Sequence, residues 1–239
     1  MKINSVLIVI FFIAASCTLL KSTSYKVEYK GALKEIMFEG NISARIDLAI
    51  LKQKPHLFAL GSVENLKGEI MILDGKSYVS SITGGKVATD TSFSQKASLL
   101  VYVQVKEWVA IPVPDHIRSY EALETYLPQI GKEKGLNINK PFPFLLKGKA
   151  LSVHWHVIDW KEGDREHTHE KHKNAGASGI APQAEATILG FYSNKHHRIW
   201  THHDTNMHLH AYLAKEGLSV HVDGLSLQPG STLLLPVVK

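Results

Sequence analysis

Thr205-Asn206-Met207-His208-Leu209-His210, followed by Val220-His221-Val222, is the stretch on which the reading of this chain turns. Side chains two residues apart on an extended strand project from the same face. His208 and His210 can therefore reach one ion, and His221 on a neighbouring strand completes a set of three. Three protein ligands leave one coordination position open, as in a catalytic rather than a structural zinc site. The bland alternative is an ordinary strand in a chain that holds 14 histidines.

Outward from this stretch the second half continues as strands. Phe144 to Ile158, Ala186 to Tyr192, Met207 to Tyr212, Leu218 to Leu227 and Thr232 to Val237 all carry strand patterns, while Asp159 to Pro182 is polar and reads as a loop. The first half, from Tyr25 to about Asp115, is also strand-rich. Leu57 to Gly61 and Gly68 to Leu73 are short strands, and Asp74-Gly75 signals a hairpin into Lys76-Ser77-Tyr78-Val79. Thr83-Gly84-Gly85 is another turn, and Ala97 to Val105 is an apolar run of high β-propensity. Ala32 to Phe38 and Ala44 to Leu51 read as short helical segments, and Ser119 caps a helix through about Gly131. The fold expected is α/β: a mixed β-sheet with a second β-rich part, the metal site between them, and a sub-boundary near residue 140.

The net charge of +5 comes with scattered lysines and no dense basic run, so no nucleic-acid groove is expected. At the N-terminus, Lys2 precedes the apolar run Val6 to Ala15 and then Ser16-Cys17. That run is too short for a spanning helix and reads as a signal peptide over residues 1–16. Ala14-Ala15-Ser16-Cys17 resembles the lipobox of bacterial lipoproteins. Cys17 is the only cysteine in the chain and would carry the lipid. The mature domain, 17–239, is then expected outside the cytoplasm, touching a membrane only through that anchor. A plain secretory signal is the alternative.

Several segments in the right order resemble the α-acetolactate decarboxylase family: Gly31-Ala32-Leu33, then Glu39-Gly40, then Ala59-Leu60-Gly61-Ser62 with Gly68-Glu69 through Asp74-Gly75, then Leu189-Gly190-Phe191, and finally His208-Leu209-His210 with His221. The resemblance implies the family's fold, a zinc ion (Zn2+), and conversion of 2-acetolactate to acetoin and carbon dioxide. It also implies a small keto-acid substrate and a possible homodimer. Position by position, it assigns His208, His210 and His221 as metal ligands and Glu69 as proton carrier. Ser62 stands where the family places a threonine near the substrate. Two departures follow. Where the family has an arginine, His156 stands, an imidazole in place of a permanent cation. The family's glutamate near the C-terminus finds no counterpart in the residues after His221. These departures motivate two alternatives: an exported metal-binding protein of the same fold without decarboxylase activity, or a zinc enzyme acting on a related keto acid or a lactone.

The remaining histidines divide by pattern. His154 and His156 alternate on one strand, so both are expected to face the site. Glu166-His167-Thr168-His169-Glu170-Lys171-His172 is read either as a metal-binding run or as a lid over the site. His196-His197 and His202-His203 are doublets, of which one member each can face inward. His202 or His203 is a candidate to support the metal ligands.

Overall fold

In the computed structural model, which describes residues 25–238, the chain lays down two antiparallel sheets one after the other. The first contains Glu28–Lys30 (β1), Ile46–Asp47 (β2), Leu57–Val63 (β3), Glu69–Leu73 (β4), Lys76–Thr83 (β5), Lys86–Asp90 (β6) and Lys96–Gln104 (β7). Its order is β1-β7-β3-β4-β5-β6, with β2 also pairing to β7. The second contains Trp108–Pro112 (β8), Phe142–Val157 (β9), Ala177–Tyr192 (β10), Met207–Leu213 (β11), Leu218–Leu227 (β12) and Thr232–Pro236 (β13). Its order is β10-β11-β12-β9-β13-β8, and a further β10–β9 pairing closes β9, β10, β11 and β12 into a ring. Three helices accompany the sheets: Leu33–Glu39 (α1), Tyr120–Glu133 (α2) and His169–Asn174 (α3). The signal segment and Cys17 lie outside the described residues.

The two β-rich parts expected from the sequence are present, with few helices. Every strand ladder runs antiparallel, where the sequence reading allowed a mixed sheet. The cause is local. Asp74 and Gly75 join β4 to β5 with φ of 47° and 78°, and Gly84 and Gly85 join β5 to β6 with φ of 59° and 78°. Two residues with positive φ make the tight turn whose twist matches paired antiparallel strands. A parallel neighbour would need a crossover of a dozen or more residues.

Two other segments differ from their sequence reading. Ala44 to Leu51 is helical only in its second half, as a 3₁₀ turn. It is β2 followed by one tight turn at Leu48–Leu51, where the Asp47 carboxylate accepts from Ala49 N at 2.8 Å. Asp159 to Pro182 is only partly loop: Thr168 caps α3 by accepting from Lys171 N, and Ala177 to Pro182 pairs along β9. Its glycines and polar side chains hid that strand, since the pairing is made by backbone groups. The Ser119 cap on α2 is as expected, its hydroxyl accepting from Ala122 N at 3.2 Å.

Both faces of the first sheet are covered, which explains why β7 is apolar throughout instead of alternating. Leu99, Val101 and Val103 join Phe58, Leu60 and Met71 on one face, while Leu100 and Tyr102 join Leu57, Ala59 and Ile70 on the other. The first of these layers also takes Leu145, Leu189 and Phe191 from the second sheet and Trp200 from the connection between β10 and β11, so the two sheets share one apolar layer. Each such buried side chain stabilises the packing by about 1.5–3 kcal/mol. Within the core of the second sheet, Gly190 leaves room for its neighbours. A Cβ there would lie 2.2 Å from Phe144 Cζ and 2.6 Å from Leu209 Cδ2.

Candidate metal centre

The register of β11 and β12 assembles the histidines. His210 lies directly opposite His221, and on the other side of β12 His221 lies directly opposite His156 of β9. His208 follows on the same face as His210. The three rings of His208, His210 and His221 are spaced almost evenly, with centroids 5.1, 5.2 and 5.3 Å apart. One nitrogen from each falls within 4.8 Å of the others.

A metal ion fits this set on the state of its donors. His210 is fully buried and His208 is 8% exposed. Yet Nδ1 of His208 and both ring nitrogens of His210 have no hydrogen-bond partner. Each unpartnered buried polar group costs about 1–3 kcal/mol, so an orphan nitrogen on each of His208 and His210 calls for a ligand. Burial also pushes His208 down to about 3, and burial with the neighbouring imidazoles puts His210 and His221 well below the ordinary value. Neutral imidazole is the form that coordinates a metal.

Glu69 comes from the other sheet, at the start of β4 and opposite Ser62 of β3. It is 4% exposed. Its Oε2 lies 3.5 Å from His210 Nε2, and its Oε1 lies 3.7 Å from His156 Nε2 and accepts from Ile158 N at 3.4 Å. Burial pushes its carboxyl up to about 8, against the pull of His156 and the Ile158 N–H, with a small push from Asp223. In the metal-free fold, burial thus favours the protonated form of Glu69. For His156, burial acts to lower the pKa. The hydrogen bond to Asp223 and the charges of Glu69 and Asp223 outweigh it and raise the value.

Ser62 lines the same cavity. Ser98 donates to Val63 O at 3.0 Å, so the 3.1 Å contact between Ser62 and Ser98 has Ser62 as donor. The Ser62 hydroxyl thus keeps only acceptor capacity. The cavity is small, about 50 Å³, roughly the room of three to five waters.

The structure thus brings together Glu69, Ser62, His156, His208, His210 and His221. It does not bring His154, which is exposed. The segment after Trp160 reaches the cavity through His169 and His172. His172 lines the cavity, and the His169 ring packs 4.2 Å from His202, which in turn lies 6.3 Å from His221. His167 Nδ1 and His172 Nε2 share a hydrogen bond at 3.0 Å, and both rings pack on Trp160. Among the described residues, no group of metal-ligating side chains includes His167, His169 or His172. Of the doublets, His202 turns inward and His203 is exposed.

Asp223 was missed by the sequence reading. It lies at a β-bulge in β12, between Val222 and Gly224, with Oδ2 2.8 Å from His156 Nδ1. The signal was present. His221 and Asp223 are two residues apart on a strand, the same rule that pairs His208 with His210.

The sequence matches the family model described as alpha-acetolactate decarboxylase over residues 29–233. No curated protein matches the sequence. Among solved structures, the alpha-acetolactate decarboxylase of Bacillus subtilis strain 168 is similar, with 13% identity, a TM-score of 0.69, and 88% of this chain and 85% of that one covered. The acetolactate decarboxylase of Bacillus subtilis subspecies spizizenii gives 16% identity, a TM-score of 0.69, and coverage of 89% and 86%. A Staphylococcus aureus protein of unknown function, described as similar to alpha-acetolactate decarboxylase, gives 14% identity, a TM-score of 0.67, and coverage of 89% and 85%. At these identities the structural likeness establishes the fold.

Proposed function

The chain belongs to the alpha-acetolactate decarboxylase family, and from that premise we propose that it is a zinc-dependent decarboxylase. The proposed substrate is 2-acetolactate, or a 2-hydroxy-3-oxo acid of similar size, and for acetolactate the products are acetoin and carbon dioxide. One observation carries the reading: buried, unpartnered nitrogens of His208 and His210 beside His221, with the buried Glu69 carboxyl 3.5 Å from His210.

His208, His210 and His221 would hold the metal. Bound zinc supplies Lewis acidity toward the hydroxyl and ketone oxygens of a chelating substrate. The chain's own groups do the rest. When the carboxylate leaves as carbon dioxide, its bonding electron pair stays on the carbon that carried it, and that carbon takes a proton. Glu69 is the proton source, because its carboxyl faces the cavity beside the metal ligands, 3.5 Å from His210. Ser62 accepts a hydrogen bond from the substrate hydroxyl, its own proton being committed to Ser98. His156 lines the cavity and orients the substrate. The small cavity, walled in part by Leu66, Leu99 and Ile158, favours a small acid.

The test is acetoin production from acetolactate by zinc-loaded protein, with His208→Ala as control. Zinc-loaded protein that leaves acetolactate untouched overturns the reading. That result favours a metal-binding protein without turnover, for which the carboxylate set against His156 speaks, since it offsets the positive charge a substrate acid would seek.

A further inference from the structure

Asp223 makes a contact that the proposed reaction does not by itself require. Its side chain is 9% exposed, with Oδ2 2.8 Å from His156 Nδ1 and Oδ1 4.0 Å from His221 Nε2. A carboxylate can only accept, so His156 Nδ1 is the donor in this bond. The opposite ring atom, Nε2, stands 3.7 Å from Glu69 Oε1, too far for a hydrogen bond. It is therefore uncommitted, on the edge of the ring that faces Glu69. His156, His221 and Asp223 also lie close enough together to hold an ion. But His156 Nδ1 is already satisfied by Asp223, whereas the nitrogens of His208 and His210 are unsatisfied. The geometry makes Asp223 a partner of His156 and not a member of the metal set.

We infer that Asp223 is a positioning residue: it fixes His156 as the Nδ1–H tautomer and turns Nε2 toward Glu69 and the cavity. The identity of an imidazole's free nitrogen is set by the bond its other nitrogen makes, and Asp223 makes that bond. The position of Asp223 at a bulge fits this role, because a bulge re-aims one side chain of an otherwise regular strand. The catalytic part of this inference rests on the decarboxylase reading; the tautomer does not.

The test is NMR on zinc-loaded protein with nitrogen-15-labelled histidine, with His156→Gln identifying the His156 signals. The expected result is a proton on Nδ1 and none fixed on Nε2, a pattern weakened in the isosteric Asp223→Asn. That variant keeps the wild-type zinc content and loses about 10–100-fold in kcat with little change in KM. In the His156→Gln background it produces no further loss. A wild-type His156 protonated on Nε2 alone overturns the inference, as does an equal loss from Asp223→Asn when His156 is already gone. Loss of zinc from Asp223→Asn also overturns it, by making Asp223 a ligand. If the wild type makes no acetoin, the decarboxylase reading fails, and the tautomer measurement still decides the position of Asp223.

Discussion

Replacing Glu69 by Gln in the metal-free protein should stabilise it, and the gain should grow with pH. Burial raises the Glu69 carboxyl from 4.5 to about 8. Below pH 4.5 the folded and unfolded chains both hold this proton, and the group does not affect stability. Between 4.5 and 8 the unfolded chain releases the proton while the folded chain keeps it. Stability therefore falls as pH rises through this window and levels off above it. With each pKa unit equal to 1.36 kcal/mol, the disadvantage reaches about 3 kcal/mol at pH 7 and about 5 kcal/mol above pH 8. Gln has the shape of the neutral acid and no proton to lose. At pH 7 the variant should thus melt higher by roughly 6–12 °C, at about 2–4 °C per kcal/mol for a chain of this size. At pH 4.5 the two proteins should melt together. The assay is thermal unfolding of chelator-treated wild type and Glu69→Gln, at steps from pH 4.5 to 8.5. Zinc-loaded Glu69→Gln, meanwhile, should bind metal normally and lose about 10²–10⁴-fold in turnover, the range for a positioned acid. Parallel melting curves at all pH values would refute the reasoning, because Glu69 would then be ionised in the metal-free fold.

Three further outcomes are expected. His208→Ala should bring zinc content, measured by elemental analysis, from about one per chain to near zero, because two imidazoles do not retain the ion. Gly190→Ala should destabilise the fold by about 1–3 kcal/mol in urea unfolding, since its Cβ would sit 2.2 Å from Phe144 Cζ. The segment carrying α3 should loosen in acid. Burial holds His172 down to about 3 and lowers His167 as well, so their contribution is complete above pH 6.5 and shrinks as pH falls below it. Protection factors for hydrogen exchange over residues 160–176, taken relative to the intrinsic rate at each pH, should fall between pH 7.5 and 5, and His172→Phe should flatten that dependence; equal pH dependence in both proteins would count against it.

What the sequence disclosed depended on whether the signal was local. Asp74-Gly75 announced its hairpin because positive φ has a residue signature. His208 and His210 announced a shared face because a strand alternates. Ser119 announced α2 because a hydroxyl at that position satisfies a free N–H. Features that depend on partners far along the chain were less legible. Ala177 to Pro182 gave no strand pattern, since the β9 backbone holds it in place. β6 and β8 were not distinguished, being short edge strands with mixed exposure. Glu69 and His156 could be named only through a resemblance. Their 3.7 Å approach joins residues from two sheets, and no short-range pattern encodes it. Asp223 was legible in principle but lay outside every motif that the resemblance supplied.

The placement of the three ligand histidines on one hairpin bears on how the site comes into being. His208, His210 and His221 all lie on β11 and β12, joined by a short turn. Glu69 lies 141 positions before His210. By the logarithmic growth of loop-closure entropy, joining Glu69 to the site costs roughly 2 kcal/mol more than closing the hairpin. A chain that has formed only this hairpin already presents the whole set of metal donors. The proton donor arrives only when the two sheets dock. Metal capture can thus precede completion of the reaction centre, and an ion already seated on β11 and β12 would give the incoming first sheet a fixed surface on which to close.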